Sequence, residues 1–239
     1  MLYSKYVKKG TPTIVFIAGL GDSSDTWEVV QSRLSREFST FSYDRAGTGR
    51  SQSVSGPRSC VDLAEELAEL LRTLDVPHPY ILAGHSFGGL IARLYASRYP
   101  HLVSGLVLID AAAEYKELAY EEALPDKLLA QNKENYSNPL MNRERIDKPL
   151  SYKQAAESVL KSDLDIVILI RGLPGGDNGE WPFEEIMKID QKMQENFQRL
   201  STSSKCRMAA GSDHYIHQDE PNIVIEEIAA LIKGEWTAQ

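Results

Sequence analysis

A serine hydroxyl is a poor nucleophile until a base takes its proton, and Gly84-His85-Ser86-Phe87-Gly88 places one where that chemistry could be done. These five residues fit G-x-S-x-G, the pattern of a strand running into a sharp turn that lifts the serine clear of the sheet. The turn strains the backbone at the serine, so its flanks must be small. Gly84 and Gly88 meet that need, and Gly89 leaves room for a helix to pack closely. The pattern alone also fits a plain tight turn. Context favours the chemical reading here, because an apolar strand candidate precedes it and a helical pattern follows.

The base must come from five histidines. His78 and His101 stand in PHP and YPH contexts at element ends, where solvated histidines are common. His85 adjoins the serine, and neighbouring side chains on such a turn diverge. His214 directly follows the last strand candidate, in RMAAGSDHYIHQDEP, where a base at the edge of a parallel sheet can reach the serine. His214 is the expected base, with His217 as the alternative.

Elements with a particular rhythm are needed to bring these residues together. Thr13–Ala18, Phe38–Tyr43, Tyr80–Ala83, Leu102–Ile109, Ile166–Ile170 and Arg207–Ala210 are apolar runs with little polar alternation, as in strands covered on both faces. Trp27–Arg36, Ser59–Leu74, Gly89–Arg98, Pro182–Leu200 and Pro221–Ile232 carry apolar residues at helical spacing. Strand–helix alternation predicts an α/β fold with a doubly wound, mostly parallel sheet. Residues 114–163 break the rhythm: rich in Glu, Lys, Asn and Tyr, they hold no strong strand. They are expected to form a mostly helical insertion into a core made of residues 1–113 and 164–239.

Bulk properties narrow the partners. The chain has 239 residues and a formal net charge of −8, with a pI near 5.2. That balance argues against nucleic acid or an anionic membrane as the main partner. Cys60 and Cys206 have no metal-like spacing and read as idle thiols of a reducing compartment. MLYSKYVKKG lacks the apolar segment of a secretory signal, and no run approaches the roughly 18 apolar residues of a membrane span. A cytoplasmic protein is expected. DRAGTGRS lacks the lysine of a phosphate-binding loop, and no cofactor is expected.

Four segments in order, AGLGDSSDTW (18–27), DRAGTGRS (44–51), GHSFGG (84–89) and GSDHYIHQDEP (211–221), resemble the α/β-hydrolase fold superfamily over nearly the whole chain. The resemblance implies an oxyanion hole made by the backbone amides of Phe87 and Leu20. It also implies that the 114–163 insertion is a cap over the site. Ala18 departs from the usual pattern, in which histidine precedes the glycine; the donor being a backbone group, the departure bears on support of the loop. Asp44, Arg45, Gly47 and Gly49 read as structural residues shaping a loop beside the site.

A carboxylate should hold the histidine's tautomer. Asp177 follows IVILI, where most superfamily members carry the acid, but its link RGLPGGDNGE is long and glycine-rich, a poor platform for a group that must be held firmly. Asp110 ends GLVLI directly, where some relatives place theirs. Asp110 is favoured, with Asp177 the alternative; Asp213 is too near His214 to orient it. The expected reaction is acyl transfer to water from a small to medium apolar ester. Serine argues against dehalogenation or epoxide opening, for which relatives use a carboxylate nucleophile. Lactone, amide or carbon–carbon cleavage stays open within the enzyme class, and a ligand-binding signalling protein of the same fold is the alternative outside it. Leu118, Tyr120, Leu124, Leu128, Leu129, Tyr136, Leu140 and Met141 are expected either to line an apolar pocket or to pack the cap on the core. Trp27 has the same two readings.

Overall fold

Alternate residues of a buried strand point to opposite faces, so a sheet made of near-continuous apolar runs must be covered twice. The computed structural model, which describes residues 1–176 and 180–235, is built in this way. Its strands are β1 (Ser4–Val7), β2 (Thr13–Ile17), β3 (Ser39–Tyr43), β4 (Tyr80–His85), β5 (Val103–Ile109), β6 (Asp165–Arg171) and β7 (Ser204–Ala209). They form one sheet in the order β1-β3-β2-β4-β5-β6-β7, parallel throughout except where β1 pairs antiparallel with β3. The helices are α1 (Glu28–Leu34), α2 (Cys60–Thr73), α3 (Phe87–Arg98), α4 (Lys116–Ala119), α5 (Asp126–Ser137), α6 (Lys148–Ala156), α7 (Phe183–Glu195), α8 (Ile216–Asp219) and α9 (Pro221–Lys233).

The β2 alternation makes the layering visible. Val15 and Ile17 join Leu63 and Leu67 of α2 and Leu90 of α3 in one core, while Ile14 and Phe16 join Val30 of α1 and Val224 and Ile228 of α9 in the other. Right-handed crossovers between parallel strands place the helices on both faces in this way. The start of α2 is fixed by its sequence: the Ser59 amide donates to the Asp62 carboxylate at 2.7 Å, and the two residues form a reciprocal capping box.

Differences from the sequence reading lie at the edges. Half-exposed and carrying Lys5, β1 offers no apolar run to notice. Strand β7 begins three residues earlier than expected, because Lys205 and Arg207 on this edge strand turn to Glu227 of α9. Segment 114–163 is helical, with α4, α5, α6 and two short 3₁₀ turns, and it is tied to the rest of the chain. Arg58 bridges to Ile146, and the Cys60 amide donates to Ser151 Oγ at 3.0 Å. Among the described residues, no helix is long and apolar enough to cross a membrane.

Candidate active site

Ser86 sits between the last residue of β4 and the first turn of α3 with φ 51° and ψ −122°, a conformation costly for a residue with a side chain. Its neighbours over-determine it: the Ser86 amide donates to Ile109 O at 3.0 Å, and its carbonyl accepts from Ala112 and Gly89 at 2.9 and 3.0 Å. The flanking glycines are required by close approach. A Cβ on Gly84 would meet Gly88 O at 2.6 Å, and one on Gly88 would meet Ile17 O at 2.2 Å.

His214 lies in the turn between β7 and α8, and Asp110 is the residue after β5. The structure brings these two together: His214 Nδ1–H donates to Asp110 Oδ2 at 2.5 Å. That bond fixes the tautomer and leaves Nε2 as the basic nitrogen. Among the described residues no hydrogen bond joins His214 to Ser86. Asp110 is buried, at φ 38°, with its amide donating to Leu169 O at 2.8 Å. Its carboxylate also accepts from Arg171 Nη1 and Gln194 Nε2, each at 2.9 Å. Burial opposes its ionisation, but the His214, Arg171 and Gln194 donors outweigh burial and hold the carboxyl well below the usual range. Asp177 lies outside the described residues.

The other histidines sort cleanly. His78 and His101 are exposed. His217 turns inward, stacks on Trp27 with ring centroids 4.3 Å apart and meets Thr26 Oγ1 at 2.7 Å. Burial, reinforced by His85 and His214, pushes it down to about 2, so it stays neutral in the fold. Trp27 is thereby a core residue, packed also on Phe16. His85 diverges from Ser86 as expected, but it is not idle: its Nε2–H donates to the His214 carbonyl at 2.8 Å and steadies the loop that carries His214. Asp213 accepts from the Tyr215 amide at 3.2 Å, within its own turn.

The loop after β2 presents the Leu20 amide, which has no acceptor among the described residues; Phe87, first in α3, has an amide with no acceptor within the helix. The loop is held from below. Arg45 donates through Nη1 to Ala18 O at 2.7 Å and through Nη2 to Gly19 O at 2.5 Å. Glu144, from the insertion, accepts from Arg45 Nε at 2.6 Å, from Arg45 Nη2 at 2.8 Å and from the Gly21 amide at 2.7 Å. Both side chains are about fully buried, at 1% and 0% exposure. Asp44 supports the same region by accepting from the Ser24 and Arg50 amides at 2.7 and 2.8 Å. Sequence reasoning missed Glu144 and Arg171; nothing local marks a glutamate in a charged insertion, or an arginine ending a strand, as a partner of the site.

A cavity of about 390 Å³ adjoins His214, walled by Tyr120, Arg171, Ile186, Asp190 and Tyr215 among others. A larger one, about 490 Å³, lies at the opposite ends of the strands, lined by Tyr80, Tyr95, Tyr99 and Leu102, remote from the chemistry. Of the insertion residues expected at a pocket, Tyr120 lines the smaller cavity, and Leu124, Leu128 and Leu129 pack around Tyr120 and Ile186. Leu118, Leu140 and Met141 face solvent instead.

A doubly wound sheet with a strained serine at the end of its central strand, and an acid–histidine pair beside it, defines a class. The chain belongs to the alpha/beta hydrolase fold family, whose profile matches residues 12–218. Among its relatives, the uncharacterized protein YqjL of Bacillus subtilis (strain 168) is 30% identical over 216 residues, 89% of this chain and 80% of its own. An AB hydrolase superfamily protein of Gibberella zeae is 25% identical over 279 aligned residues, covering 93% and 86% of the two chains. The thermophilic esterase of Thermogutta terrifontis superposes with a TM-score of 0.66 at 17% identity, over 98% of this chain and 93% of that one.

Proposed function

We propose that the chain is a serine hydrolase acting on carboxylic esters through Ser86, His214 and Asp110. The observation that carries the reading is the 2.5 Å bond from His214 Nδ1 to Asp110, which leaves Nε2 free on the loop beside a strained serine. In this scheme Ser86 Oγ attacks the ester carbonyl carbon while His214 Nε2 takes its proton. The negative oxygen of the tetrahedral intermediate is met by the amides of Leu20 and Phe87, preorganised groups of the kind whose removal costs about 2.7–4 kcal/mol. Collapse expels the alkoxide, which takes the proton from His214 and leaves an acyl-serine. Water then attacks the acyl carbon by the same route, and Ser86 is regenerated.

Residues 114–163 act as the cap, with Tyr120 facing the cavity beside His214. That cavity is walled by apolar and charged groups alike, which suits a small to medium acyl or alcohol part. The esterase named above has the same fold, and its reaction class is the one carried over to this chain. The test combines a series of p-nitrophenyl esters of graded chain length with mass-spectrometric mapping of a fluorophosphonate label. Turnover lost in Ser86→Ala and a label on Ser86 are expected. A label on another serine, or turnover that survives Ser86→Ala, overturns the reading. Tight ligand binding without turnover would favour the signalling alternative.

A further inference from the structure

The carboxylate that holds His214 does not give its charge to the histidine alone. Asp110 Oδ2 accepts both His214 Nδ1–H at 2.5 Å and Arg171 Nη1 at 2.9 Å. Arg171 is the last residue of β6, next to β5 in the sheet, and it is buried. Its other nitrogen, Nη2, donates to Asp190 Oδ2 of α7 at 2.7 Å, and the remaining oxygen of Asp190 accepts from Tyr120 of the insertion at 2.5 Å. The result is a chain of buried groups, Tyr120–Asp190–Arg171–Asp110, that ends on the partly exposed His214 and in which a cation lies between two carboxylates.

Such an arrangement has an electrostatic consequence. A carboxylate favours the protonated form of the imidazole it faces, and a cation on the same oxygen opposes that. Arg171 therefore weakens the pull of Asp110 on a proton at His214, and Asp190 in turn weakens Arg171. Burial makes both effects larger than they would be in water. We infer that Arg171 is a positioning residue of the Ser86 site: it locks the Asp110 carboxylate and, balanced by Asp190, sets how firmly that carboxylate holds a proton on His214.

Among the described residues, the other charged or titratable groups around His214 can be named. His85 of β4 lies 4.6 Å away, centroid to centroid, and stays neutral through burial. Tyr215 and Asp213 flank His214 in the turn, with Asp22 of the loop after β2 within 3.5 Å of the Tyr215 hydroxyl. His217 of α8 packs behind His85, and Lys116 lines the cavity beside Tyr120. None of these hydrogen-bonds the Asp110 carboxylate, whose partners besides His214 are Arg171, balanced by Asp190, and the uncharged Gln194.

The inference rests on the serine hydrolase reading for its meaning in catalysis, but the second of its two readouts does not. In wild type the three groups beyond His214 carry one net negative charge. Arg171→Met leaves two, and Asp190→Asn leaves none. The acidic limb of kcat/KM against pH is expected to move up by about one unit in Arg171→Met and down by about one unit in Asp190→Asn. The double variant restores a single negative charge and is expected near wild type. The second readout is an NMR titration of the His214 ring, assigned by His214→Gln, which needs no turnover and should show the same opposite shifts. Asn is isosteric with Asp, so Asp190→Asn decides alone if Arg171→Met does not fold.

A merely structural arginine would lower activity in both variants without moving either titration in opposite senses. Unmoved titrations in folded variants overturn the inference. Turnover that persists in Ser86→Ala sinks the hydrolase reading instead, while the ring titration still judges Arg171.

Discussion

The Arg45–Glu144 pair lends itself to a quantitative test, because its energetics and its effect on the site can be separated. Glu144→Ala removes the acceptor of three hydrogen bonds, two from Arg45 and one from the Gly21 amide. It leaves a guanidinium at 1% exposure without its ion-pair partner, hydrogen-bonded to the Ala18 and Gly19 carbonyls alone among the described residues. Stranding one partner of a buried pair costs about 3–5 kcal/mol. In a domain of this size each kcal/mol lowers Tm by about 2–4 °C, so the melting point should fall by roughly 6–20 °C.

Replacing both partners by apolar residues avoids the stranded charge, so Arg45→Met/Glu144→Leu should regain most of that loss. Its catalysis should not recover. The loop bearing Leu20 would lack its ties at Ala18, Gly19 and Gly21, and a misplaced oxyanion donor lowers kcat, with a loss of about 10²–10³ as the ceiling set by complete removal. Differential scanning calorimetry and steady-state ester hydrolysis measure the two halves, and KM should change little beside kcat. A Glu144→Ala protein melting within about 2 °C of wild type would refute the buried-pair argument. A double variant with wild-type kcat would refute the link to the oxyanion loop.

Three further expectations follow from the same contacts. Gly88→Ala drives a Cβ to 2.2 Å from Ile17 O, so urea unfolding should show a loss of at least about 1–3 kcal/mol; a wild-type midpoint would contradict the packing. His217 stays neutral down to about 2 when folded, whereas an unfolded histidine takes its proton near 6.5. The unfolded chain thus binds the extra proton in between, so this contribution is whole above about pH 6.5 and declines as pH falls toward about 2, by about 1.4 kcal/mol per unit. Urea melts at stepped pH should show that slope, and His217→Gln should flatten it; an unchanged slope would refute the assignment. Burial pushes the Cys60 thiol up to about 12, so Ellman's reagent should reach it only after unfolding; native-state labelling mapped to Cys60 would contradict its placement.

How much of this was legible in the sequence follows from the range of the forces involved. The layers were legible because burial imprints a local period: Val15 and Ile17 must face one core and Ile14 and Phe16 the other. The strained serine was legible because its glycines are adjacent in sequence. Strand β1 was not, since a half-exposed edge strand needs no apolar run. Sequence position relative to a strand end was the ground for preferring His214 to His217, and the fold adds one that no local pattern carries: His217 is buried and points at Trp27.

The pairs that support the site were illegible for a different reason. Arg45 and Glu144 are 99 residues apart, and Arg171 and Asp110 are 61 apart, so nothing in the local pattern of either member announces the other. Both supports nevertheless share an origin. Glu144 reaches the loop that carries Leu20, and Tyr120 reaches Asp190, Arg171 and so Asp110; both belong to segment 114–163. An insertion that only covered a pocket would affect which substrate enters and leave the chemistry alone. On the proposed function, one that ties down both the loop bearing Leu20 and the Asp110 carboxylate should change kcat when it is altered, even where none of its residues touches the substrate. Substitutions at Tyr120 and Glu144 should therefore lower kcat, whereas changes at solvent-facing Leu118, Leu140 or Met141 should leave it nearly untouched. Equal effects on kcat from the two groups would refute that division.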